Sequence, residues 1–174
     1  MSRTEVRHAA RVVLAGVGLG VLGGIGWAFL APTQQVLVVA ADRGAPLTGE
    51  SMHEFDSVAI FACISAIVGL LLAVGAWRMT RARGPILFAG ILLGSAVGAA
   101  TMAVVGEGVA RLRHPRVDAP QVHDVVALAP GIGTMLVLIV APLLASSSVL
   151  VMATLNSHDD LGTPATPPTA DTTS

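Results

Sequence analysis

The chain has 174 residues, 53% of them apolar and 12% charged, with a formal net charge of −1 and a mean hydropathy of +0.76. That balance excludes a basic nucleic-acid-binding face, a disordered chain and an ordinary soluble domain. Four uncharged stretches match the ~20 helical residues needed to cross a hydrocarbon core of about 30 Å, so the expected fold is all-α: an integral membrane four-helix bundle with a longer first extracytoplasmic loop and a disordered C-terminal tail.

The first apolar run follows Arg3, Arg7 and Arg11 and gives span one at about residues 12–31. It is too long for a signal-peptide core, and Phe29, Leu30, Ala31 and Pro32 make a poor cleavage site, so it is expected to stay as a span. The loop from Pro32 to Asp56 carries the β-branched run Val36-Leu37-Val38-Val39 before the turn-prone Asp42, Arg43 and Gly44. That pattern suits a short hairpin or a re-entrant cap. Span two is expected at 57–77 and span three at 85–106. Cys63, the single cysteine, lies in span two, where it has no disulfide partner and is expected to pack as a small apolar residue. Span four is expected at 131–152 after a short interfacial turn, with a kink at Pro142, which lacks an N–H. Residues 1–155 thus form one transmembrane domain. The Thr/Pro-rich acidic remainder, 156–174, buries too little apolar surface to fold.

Arginine placement sets the expected orientation. With the N-terminus inside, six arginines are cytoplasmic (Arg3, Arg7, Arg11, Arg78, Arg81, Arg83) and four are outside (Arg43, Arg111, Arg113, Arg116), which favours a plasma-membrane protein with both termini cytoplasmic. Trp27 and Trp77 fall at span ends, where interfacial aromatics belong.

Spans one and three share a spacing: Gly16, Gly20 and Gly24 in the first, Gly90, Gly94 and Gly98 in the third. Each set lines one helix face. Lipid supplies no hydrophobic drive between helices, so small residues that let backbones approach are the usual packing device. The stripes are expected to pack on each other or across a homodimer axis, and the shared spacing suggests two related hairpins.

No ionisable residue lies near the middle of a span, which weighs against proton-coupled transport. The outer loops hold Glu50, His53, Glu54, Asp56, Glu107, His114, His123 and Asp124, residue types that bind divalent metals. Their spacing matches no closed zinc pattern, and they read as a polar cap with no cofactor and no metal assigned. Opposite charges there could pair the two outer loops. Ser146, Ser147 and Ser148 read as hydroxyls bonding back to helix carbonyls, with no catalytic set near them. Gly16, Gly18 and Gly20 look like a dinucleotide loop but have no strand before them.

Glu54, Phe55, Asp56 and Phe61 opening span two, Trp77 closing it, Arg81, Arg83, Gly84 and Pro85 in the inner turn, and the stripe Gly90, Gly94, Gly98 together resemble a family of small actinobacterial, mycobacterial-type four-span membrane proteins of unknown function. The resemblance covers about residues 10–155 and implies four helices and an inner-membrane location. Residue chemistry favours a non-enzymatic protein acting through helix packing, in contact with membrane lipid, as an accessory or scaffold subunit of a membrane complex or as a homo-oligomer. A small transporter or channel lined by the glycine faces and an extracytoplasmic pH or metal sensor are the alternatives.

Overall fold

The structure, a computed structural model, describes residues 3–40, 43–46, 50–78, 85–115 and 125–155. Four helices are long and apolar enough to cross a membrane. Helix α1 spans Arg3–Leu30, α2 Glu50–Trp77 and α3 Pro85–Arg113; the fourth crossing is a 3₁₀ segment, Met135–Ile139, running directly into α4, Val140–Leu155. The protein is an all-α membrane bundle with a small three-stranded sheet at one end. At about 1.5 Å per residue, α1 with its 28 residues is about 42 Å long, so it outruns the apolar core and carries exposed Arg3, Arg7 and Arg11 on its first turns.

Chain neighbours are not the closest packing partners. The most extensive contact joins α1 to α3, and the next joins α2 to α4. Both pairs are parallel: Gly16 faces Gly94 and Gly20 faces Gly98, while Ser57 meets Gly131 and Gly69 meets Ala141. Two apolar clusters fill the interior. One, towards the arginine end, joins Val12, Leu72, Ala76, Ile91 and Ala145; the other, towards the sheet, joins Trp27, Phe61, Met102, Ile132 and Val137. Large apolar side chains such as Leu14, Leu22, Leu93, Leu143 and Leu150 point outward, as a lipid-facing surface requires.

The β-branched run forms a hairpin. Strand β1, Gln34–Ala40, pairs antiparallel with β2, Arg43–Pro46, and its other edge takes β3, Val125–Leu128, antiparallel, with Val36 opposite Val126. The link between the two loops is therefore made by main-chain hydrogen bonds.

The fourth crossing starts later than expected, at Met135, and passes from 3₁₀ to α at Val140. Pro142 is the third residue of α4, in the first turn, where a missing N–H costs little. The backbone is tightened to 3₁₀ just before it. Gly133, at φ 67°, turns the chain into this crossing, and the Thr134 Oγ1 caps it by accepting from the Leu136 N–H at 3.3 Å. The tail from 156 onward lies outside the described residues.

Candidate functional site at the sheet end of the bundle

On α1, Val12, Gly16, Gly20, Gly24 and Ala28 are buried at four-residue spacing; on α3, Gly90, Gly94, Gly98, Met102, Gly106 and Ala110 form the matching row. A Cβ on Gly16 would fall inside the Gly94 carbonyl, and one on Gly20 inside that of Gly98. At Gly24 it would meet the Met102 carbonyl oxygen at 2.6 Å, at Gly98 the Gly16 carbonyl oxygen at 2.7 Å, and at Gly90 the Ala9 Cα at 2.9 Å. All six stripe glycines thus lie in one α1–α3 interface within a single chain. Gly18 and Gly26 face open space instead. Sequence reading missed Gly69, whose added Cβ would strike the Ala141 carbonyl on α4. Its signal is weak, a single glycine in an apolar run.

Trp27 is fully buried, so it is an internal anchor and not the interfacial aromatic that its position suggested. Its Nε1–H donates to the Ser57 carbonyl at 2.9 Å, and its ring meets Phe61 edge-on with centroids 5.9 Å apart. Gly106 makes room for it: a Cβ there would lie 2.7 Å from the indole. The Ser57 hydroxyl then donates to the Gly131 carbonyl at 3.1 Å, tying α1 and α2 to the segment that leads into the fourth crossing.

Arg113, counted above against the expected orientation, has a specific position. Its Nη1 donates to the Ala28 carbonyl at 2.6 Å, and its guanidinium lies 4.1 Å from the centroid of the Phe29 ring. A cation on the last carbonyls of α1 offsets the negative end of that helix dipole. Arg111 is paired with Glu107 one turn earlier on α3, Nη2 to Oε2 at 2.9 Å.

Of the polar cap, Asp56 is exposed on α2, and His114 places Nδ1 3.4 Å from the Ala110 carbonyl oxygen. The side chains of Glu50, His53, Glu54, His123 and Asp124 lie outside the described residues. Among the described residues no three His, Cys, Asp or Glu side chains form a metal-binding group. Glu107 borders a cleft of about 300 Å³ between α3 and the start of the fourth crossing, lined also by Ala103, Val104, Thr134, Met135 and Leu138.

Two serines of the run bond back to their helix as expected: Ser146 donates to the Pro142 carbonyl at 2.6 Å and Ser148 to that of Leu144 at 2.7 Å. Thr101 and Ser95 likewise bond to Val97 and Leu92 carbonyls on their own helix. The Ser65 Oγ is buried with no hydrogen-bond partner among the described residues. Cys63 is exposed on α2, where the expectation placed it in the packing.

Residues 15–163 match the family described as "Protein of unknown function (DUF2567)". An uncharacterized protein of Mycobacterium leprae (strain TN) is 29% identical over 169 residues, covering 87% of this chain and 85% of that one. An uncharacterized protein of Mycobacterium tuberculosis (strain ATCC 25618 / H37Rv) is 38% identical over 121 residues, covering 64% of this chain and 58% of that one; the same figures hold for one from Mycobacterium bovis (strain ATCC BAA-935 / AF2122/97). The matched stretch thus spans under two thirds of the length of these last two relatives. No solved structure matches the chain. The match of the family model over most of its length places the protein in the DUF2567 family, and it has mycobacterial relatives.

Proposed function

We propose that the protein is a non-enzymatic packing subunit of the plasma membrane, an accessory or scaffold component of a cell-envelope or membrane complex or of a homo-oligomer, with both termini cytoplasmic. The observation that supports this reading is the direct backbone contact between α1 and α3. A path lined by their glycine faces would need those faces apart, whereas Gly16 and Gly20 have no room even for a methyl group. The hydroxyls of Ser95 and Thr101 on α3 are bonded to carbonyls of their own helix and offer no free polar lining there. The fourth crossing has only 17% of its apolar window buried, against 33–39% for the other three, which leaves most of its surface for lipid or a neighbouring helix.

Extraction of the tagged full chain into nanodiscs at native expression, with mass determination of the intact assembly, tests the reading. A stoichiometric hetero-complex or a defined homo-oligomer supports it. A monomer without a partner, or solute flux in proteoliposomes, overturns it.

A further inference from the structure

The cleft beside Glu107 has no part in the packing role, and its chemistry points to a ligand. We propose that it holds one bilayer phospholipid with a zwitterionic aminophosphate headgroup, the ammonium on Glu107, the phosphate on Arg111, and part of one acyl chain along Val104, Met135 and Leu138.

The order of polarity along the cleft matches a lipid in a membrane. Helix α3 runs towards the sheet end, so Ala103 lies one turn nearer the bilayer centre than Glu107. The fourth crossing runs the other way, so Leu138 lies deeper than Thr134 and Met135. Polar groups therefore stand nearer the sheet end, with apolar walls towards the middle of the crossings. Val104 and Met135 are 74% and 82% exposed, so the cleft is open on the side where acyl chains lie.

Charge selects the headgroup. Arg111 occupies the Glu107 Oε2 at 2.9 Å, and the two side chains are 73% and 34% exposed. A carboxylate accepts through both oxygens and a guanidinium has five donors, so each can take a further partner while the pair stays intact. Opposite charges side by side complement an ammonium and a phosphate on one molecule. A purely anionic headgroup could use Arg111 alone and would set its own negative charge beside the Glu107 carboxylate, competing for the one guanidinium.

Native mass spectrometry of the full chain, titrated with phosphatidylethanolamine or phosphatidylglycerol of identical acyl composition, tests the proposal. The expected result is a single phosphatidylethanolamine adduct favoured about tenfold, the scale of one charge-assisted hydrogen bond. Glu107→Gln keeps the shape and should abolish the preference; an exposed i,i+4 ion pair adds little to folding, so the variant stays assembled. Val104→Trp and, separately, Met135→Trp should block the acyl wall and weaken both adducts about tenfold, while Leu14→Trp on an exposed face of α1 should change neither. Equal adducts on the unaltered chain, a preference that survives Glu107→Gln, or unaltered binding by both tryptophan variants would overturn it. The proposal stands or falls independently of the packing role.

Discussion

A methyl group separates the two kinds of glycine in α1. Gly16→Ala sets a Cβ against the Gly94 carbonyl, which the backbones relieve only by moving apart, a cost of about 1–3 kcal/mol. Gly18→Ala meets open space and gains helix propensity, up to ~1 kcal/mol. Thermal denaturation in mild detergent should therefore lower the midpoint for the first and leave or raise it for the second. Two buried serines divide in the same way. Ser57→Ala loses the bond to Gly131 and should cost about 1 kcal/mol, whereas Ser65→Ala removes a hydroxyl without a partner and should stabilise by about 1 kcal/mol. Equal effects of the two substitutions would contradict this hydrogen-bond assignment. Composition and spacing made the stripe glycines legible at this scale. They could not tell Ser57 from Ser65, because hydroxyls two turns apart on one apolar helix differ only in what the other helices place opposite them.

At the scale of elements, helix existence follows from apolar length, and all four crossings are readable in the sequence. Their ends are not. Helix α3 continues through Glu107 and Arg111 to Arg113 because the Glu107–Arg111 pair and the bond from Arg113 to α1 give those charged residues partners on the helix. The hairpin was readable from Val36-Leu37-Val38-Val39, but β3 was not, since Val125–Leu128 is indistinguishable by composition from the apolar run that follows it. Trp27 was misread for a related reason: tryptophan near a span end suits the interface unless a glycine on another helix opens a slot, and Gly106 does so. Arg113→Gln should free the last turn of α1. Hydrogen exchange there should quicken about tenfold, corresponding to the loss of one charge-assisted bond, while exchange in the middle of α1 stays unchanged.

For the whole molecule, the stripes alone left open whether α1 and α3 pair within a chain or between two chains, because parallel glycine faces serve either arrangement. The structure pairs them within one chain, with Ala9 beside Gly90 at the arginine end. Cysteines at these two positions, in a Cys63→Ser background, should form an intrachain cross-link on oxidation after the ends part by roughly an ångström towards the ~3.8 Å Cβ separation of a disulfide. A shifted monomer band on non-reducing gels is the expected result; a disulfide-linked dimer would instead place the stripes across a symmetry axis. The site at the sheet end was legible only in its acidic member, Glu107. The cleft around it arises from the turn at Gly133 and the 3₁₀ segment, which bring Thr134, Met135 and Leu138 beside α3.

Pairing α1 with α3 also sets a timetable for biosynthesis. The facing glycines are 78 positions apart, Gly16 to Gly94, and a ribosome adding about 5–20 residues per second needs roughly 4–16 s to cover that distance. Over that interval α1 sits in the bilayer with its small-residue face turned to lipid or to the insertion machinery, since α2, the helix made next, is not its main partner. Strand β1 waits longer, until Val125–Leu128 has emerged to take its second edge. The fold therefore closes late and in order, the α1–α3 pair first and the sheet after it, so a chain halted after α2 has its first helix inserted but not yet packed.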